Sequence, residues 1–181
     1  MDGVHKSVRR NVHCGQRAAW FARHADIHGR PSGGLPTGVV MQVQPYLFFE
    51  GRCDEAVEFY KKTLGAKVNM RMTFKENPEA DKAGPGCQPG AGTEDKVMHL
   101  EFQIGDSVIM ASDGRCSNQP NFQGFGLSIN YPDKAAVEKA FNSLKEGGQV
   151  VMPLDKTFFA DQFGMVTDRF GIMWLLLTAP K

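Results

Sequence analysis

The sequence predicts an α+β domain built from two βαβββ modules whose strands pair into a cupped mixed sheet. Two observations carry that prediction. An amphipathic helix running directly into a strand occurs twice, as "AVEFYKKTLGAKV" from Ala56 and "AVEKAFNSLKEGGQV" from Ala136, 80 residues apart. Each copy also has one strand-like run before its helix and three after it. One such unit would leave a sheet face uncovered, so the two copies are expected to pair as one curved sheet or as two facing ones.

The elements follow in order. Residues 1–40 hold four of the five histidines, show no sustained period and end in the turn-rich "GRPSGGLPTG". They are expected to be a disordered or non-native leader, with an Arg-bearing presequence as the alternative. The domain is placed at 41–181, with modules at about 41–113 and 121–178. "VQPYLFF" opens the first module as a strand. Val57, Tyr60 and Leu64 then mark the buried stripe of a helix, with Gly65 as its C-cap and Lys61 and Lys62 at the negative end of its dipole. "AKVNMRMTF", "KVMHLEFQI" and "SVIMASD" complete the module, and the Pro/Gly-rich "KENPEADKAGPGCQPGAGTED" is a loop between strands. In the second module "GLSINY" precedes a helix with the stripe Val137, Ala140, Phe141 and Leu144. "GQVVMPL", "FGMVTD" and "IMWLLLT" follow it. Asp54 and Asp133 stand where N-caps are expected. Asp168 in "TDRFG" is expected to organise the turn into the last strand, with Gly171 permitting the backbone angle.

Composition excludes several classes of function. The formal net charge is +1, but residues 1–40 carry six Lys/Arg against two acidic groups, and the remainder carries fifteen against eighteen. The domain is thus mildly acidic, which argues against a nucleic-acid surface. Cys14, Cys53, Cys87 and Cys116 form no CxxC pair, so neither a disulfide framework nor a structural zinc site is expected, and a reducing cytoplasm is the default location. Cys53, near a helix start, is a weak candidate nucleophile with no adjacent histidine. No run approaches the roughly 18 apolar residues of a membrane helix. No GxSxG motif supports hydrolase chemistry, and no phosphate-cradling loop or Arg clamp is present.

"PYLFFEGRCDEAVEFYKKTLGAKV", "MASD", "GFGLSINY" and "FFADQFGMVTDRFGIMW" together resemble the vicinal oxygen chelate superfamily, which includes glyoxalase I and the bleomycin-resistance proteins. More specifically they resemble its PhnB-like branch, also labelled 3-demethylubiquinone-9 3-methyltransferase-like. The likeness covers essentially all of 41–181. It implies the glyoxalase/bleomycin-resistance-like fold and a homodimer. Metal-dependent members place four ligands on the first and fourth strands of each module, and these places fall here on Pro45, Met110, Gly124 or its neighbour, and Leu175. None is a strong ligand for a hard or borderline divalent ion, and a one-residue shift reaches only Gln44 or Ser128. No metal and no cofactor is therefore expected. The likeness implies no S-adenosylmethionine site, and the chain has no Gly-rich strand-to-helix loop.

His99, the domain's one histidine, alternates with Glu101 and Gln103 along a strand, so the three share a face. That stripe fits a plain solvent face, or a site in which His99 moves a proton and Glu101 orients or charges a ligand. Tyr46, Phe48, Met110, Ser112 and Trp174 are the candidate ligand-binding residues, although Trp174 equally fits core packing. The expected function is binding of a small organic molecule, with no nucleic-acid or membrane partner. The alternatives are an isomerase or lyase using His99 and Glu101, without metal or with an atypical one, and a structural protein whose cavity is filled.

Overall fold

The structure, a computed structural model, describes residues 42–79 and 90–178. The expected leader lies outside them, as do residues 80–89 of the long loop. Residues 43–77 and 90–178 belong to one compact unit.

Every predicted strand and both helices form. The first module runs β1 (Tyr46–Phe48), α1 (Cys53–Leu64), β2 (Lys67–Thr73), a 3-10 turn at Phe74–Glu76, β3 (Val97–Ile104) and β4 (Ser107–Ser112). The second runs β5 (Leu127–Tyr131), α2 (Lys134–Leu144), β6 (Gln149–Asp155), β7 (Gln162–Thr167) and β8 (Met173–Thr178). Each module makes one four-stranded mixed sheet, in the orders β1-β4-β3-β2 and β5-β8-β7-β6. β1 runs parallel to β4 and β5 parallel to β8, while the remaining pairs are antiparallel. The same order and the same single parallel pair in both sheets are the structural form of the sequence repeat.

Alternation along the strands decides which face is covered. In the first sheet Leu47, Leu100, Phe102, Ile109 and Ala111 are buried in the core with Ala56, Val57 and Tyr60 of α1. In the second, Val166, Trp174 and Leu176 join Val137, Ala140, Phe141 and Leu144 of α2. Gly164 allows that helix to come close, because a Cβ there would stand 2.9 Å from the Phe141 ring and 2.8 Å from Leu154. The opposite face of each sheet carries no helix of its own module.

The helix ends follow local chemistry, with one departure from expectation. Gly65 closes α1 at φ 68 and its N–H bonds to the Tyr60 carbonyl. Asp133 caps α2 by accepting the Ala136 N–H at 2.8 Å. Asp54, however, lies inside α1, and the N-cap residue is Arg52, whose side chain makes no capping bond. The capping carboxylate arrives from across the module: Asp113, just after β4, accepts the N–H of Cys53 at 2.6 Å and of Gly51 at 3.1 Å. Asp54 instead pairs with Arg71 of β2 at 2.7 Å.

Candidate functional site

The helix-free face of the first sheet brings together six of the seven residues singled out above. Register places Tyr46 beside Met110, Met110 beside Glu101, and Glu101 beside Met70. Directly opposed residues share a face, so a phenol, a thioether, a carboxylate and a second thioether form one row across β1, β4, β3 and β2. In the next row Phe48 opposes Ser112, and His99 opposes Met72.

His99 is the polar centre. It is 5% exposed, so the plain solvent-face reading of its strand does not hold at this position. The Tyr46 hydroxyl and His99 Nδ1 are 3.0 Å apart, and His99 Nε2 lies 3.5 Å from Glu101 Oε1. A phenol and a carboxylate thus flank the imidazole, the phenol at hydrogen-bond distance and the carboxylate at ion-pair distance. The Tyr46 ring also stands 5.0 Å from Phe48 and 5.6 Å from the His99 ring, centroid to centroid. Met110 is buried, whereas Phe48 is 42% exposed and forms the open margin. Ser112 shares the face, but its hydroxyl serves the backbone, donating to the Val97 carbonyl at 3.3 Å and accepting the Gly114 N–H at 3.0 Å.

Trp174 is not part of this group. It belongs to β8 of the other sheet, faces the core at 1% exposure and stacks edge-on to Tyr60 at 5.4 Å. Its indole N–H donates to Asp168 Oδ2 at 2.8 Å. The core-packing account of this residue is the correct one, because an indole in mid-strand takes whichever face its parity gives it, and the parity of Trp174 is that of Leu176 and Thr178.

Cys53 is also placed away from chemistry. Its thiol is fully buried, and burial first, then the Asp113 charge, push it well above the ordinary thiol range, which disfavours the nucleophilic thiolate.

In sequence, "SDG" at Ser112–Gly114 reads as a strand-end polar turn, but Asp113 reaches well beyond its own turn. Besides capping α1, its Oδ2 accepts the Val97 N–H at 2.8 Å, so one carboxylate ties the helix start to the strand that carries His99. The "SDG" turn was the available signal, but which backbone groups it would reach depends on the sheet. Asp168 does organise its turn, accepting the N–H groups of Phe170 and Ile172 at 2.9 and 3.0 Å around Gly171 at φ 94. It also accepts the Tyr60 hydroxyl at 2.7 Å.

With this geometry in place, comparison with known proteins identifies the family. The sequence pattern of the 3-demethylubiquinone-9 3-methyltransferase family matches residues 41–177. The chain belongs to that family. Protein YjdN of Escherichia coli K12 is similar to it, with 33% identity over 138 residues, covering 75% of this chain and 94% of that one. Among solved structures, protein PA1353 from Pseudomonas aeruginosa matches with a TM-score of 0.67 and 36% identity, over 78% of this chain and all of that one. The PhnB protein from Bacillus cereus shares the fold, with a TM-score of 0.63 and 24% identity over 77% of this chain and all of that one. The paired βαβββ sheets are therefore those of the vicinal oxygen chelate superfamily.

Metal-dependent members of that superfamily use these strands for their ligands, so the donor set matters. The positions facing each other on the parallel strands are Tyr46 with Met110, and Ser128 with Leu175. The first is thus Tyr46 rather than Pro45, and Gly124 precedes β5 altogether, leaving Ser128 in its place. A phenol, a thioether, a hydroxyl and an isobutyl group do not fit a divalent ion of the glyoxalase kind. Among the described residues no group of three or more His, Cys, Asp or Glu could hold a metal ion. Among them, too, no helix is long and apolar enough to cross a membrane.

Proposed function

We propose that this family member binds a small organic molecule on the helix-free face of its first sheet, against Tyr46, Phe48, His99, Glu101 and Met110. The observation that carries this reading is the Tyr46–His99–Glu101 group set among aromatic and thioether side chains. A few converging polar groups on an otherwise apolar surface are what a small-molecule site needs for both affinity and orientation. The protein acts in this reading as a cytoplasmic homodimer, and the exposed Phe158 and Phe159 are apolar surface available for burial between copies.

A screen of the full chain against a library of organic metabolites, read by thermal shift and ligand-observed NMR, tests the reading. Saturable hits should weaken at least about tenfold in Met110→Ala and Tyr46→Phe. Hits indifferent to both substitutions would place binding elsewhere and defeat it.

The same group supports a second reading, a proton-transfer step. His99 would exchange a proton with the ligand through Nε2, the nitrogen on the Glu101 side, while Tyr46 at Nδ1 fixes its orientation and Glu101 its charge, as an isomerase or lyase requires. Ligand recovered chemically changed, with turnover lost in His99→Ala, selects this reading. Ligand recovered unchanged selects binding alone.

A further inference from the structure

We infer that the molecule bound on this face is an organic cation with a flat apolar body, an inference that rests on the binding reading above. The argument starts from Glu101. Its side chain is 23% exposed, and its strand neighbours on either side are the thioethers Met70 and Met110. A carboxylate half-withdrawn from water among apolar groups is costly unless a positive charge or several hydrogen-bond donors answer it. Among the described residues its polar partner is the His99 imidazole, at 3.5 Å, longer than a good hydrogen bond. The basic residue that the register puts on this face, Lys67, stands at the far end of β2 opposite Gln103, beyond the central rows. Among the described residues, the centre of the face therefore carries a carboxylate answered by an imidazole at ion-pair distance.

The surroundings specify the rest of the ligand. Tyr46 and Phe48, with ring centroids 5.0 Å apart and tilted by 31°, offer a continuous aromatic margin one strand away from Met110. The negative faces of such rings attract a cation as well as apolar surface. Methionine supplies polarisable, adaptable contact on the other side, through Met70, Met72 and Met110. An ammonium or amidinium group would meet Glu101 while a planar body lies across Met110 toward the rings. An anion of the same shape would meet the carboxylate and the ring faces with the wrong sign.

The test uses three nearly isosteric probes, benzamidine, benzamide and benzoate, titrated into full-length protein carrying 13C-methyl methionine. Benzamidine should shift the methyl signals of Met70, Met72 and Met110 and bind at least about tenfold tighter than benzamide, with benzoate weakest. In Glu101→Gln the preference should collapse to within about twofold, with benzamide affinity retained. Benzamide or benzoate shifting the same three methyls as strongly as benzamidine in the wild type overturns the cation inference and leaves the binding reading standing. Shifts confined to other methionines, or none from any probe, count against both.

Discussion

At the residue scale the two buried aspartates, Asp113 and Asp168, each gather several donors from other parts of the chain. Asp168 is 3% exposed and accepts four hydrogen bonds, from Phe170 and Ile172 N–H, the Tyr60 hydroxyl and the Trp174 indole. Asp168→Asn replaces one acceptor oxygen by a donor. The indole N–H, which can only donate, then loses its partner, and a loss of about 2–4 kcal/mol is expected in urea unfolding, at unchanged slope. Tyr60→Phe removes one donor and leaves three, so about 1–2 kcal/mol is expected. Near-equal losses would refute the hub. The protonation of Tyr60 gives a second prediction. Burial first, then the Asp168 charge, raise its phenol well above the ordinary value of 10.0, and burial likewise raises Cys53 above 9.0. The folded chain keeps both protons where the unfolded chain releases them, so stability contributed by these groups is complete below about pH 9 and falls as pH rises further. The unfolding midpoint should decline between about pH 9 and 11, and Cys53→Ala should move the onset upward. The sequence placed His99, Glu101, Tyr46, Phe48, Met110 and Ser112 on strands, where parity alone decides who shares a face. It could not assign Trp174, because both faces of a strand rich in Met and Leu look alike until a partner covers one.

Element boundaries were legible for a different reason. Each depends on a local signal, such as apolar period, Gly65 at the helix end, or Asp133 at a helix start, and no distant contact is needed to read it. The start of α1 is the exception that defines the limit. Asp54 lies in the first turn of a helix and looks like a cap, yet the acceptor that satisfies the Cys53 N–H belongs to Asp113, 60 residues away. Sequence spacing contains no trace of that contact. The two carboxylates should therefore differ sharply on truncation. Asp54 pairs with Arg71 at the surface, with side-chain exposures of 53% and 39%, so Asp54→Ala should cost less than about 1 kcal/mol. Asp113→Ala leaves the N–H groups of Gly51, Cys53 and Val97 without their acceptor, and about 3–5 kcal/mol is expected. Urea denaturation of both variants checks the contrast, and comparable costs would mean that α1 is held by its apolar stripe alone.

For the whole molecule, the repeat announced two modules but not how they join. The joint is made of side chains that each module lends to the other. Phe49 of the first stands against Phe122 and Phe170 of the second at 5.4 and 6.1 Å. Tyr60 meets Trp174 and bonds Asp168. Two arginines reach across in opposite directions, Arg52 over the Phe170 ring and Arg169 over the Phe59 ring, each at 4.6 Å. Such aromatic and cation–π pairs contribute about 0.5–1.5 kcal/mol apiece beyond the area they bury. Neither module can keep its share of these contacts if the other unfolds, so the two should melt together despite having separate sheets. With 13C-methyl methionine, Met72 reports on the first sheet and Met165 on the second. Their signals should disappear along one urea transition with a common midpoint and slope. If Met165 is lost while Met72 persists, or the reverse, each sheet holds its own stability, and the shared aromatic joint is a contact between two independent folds.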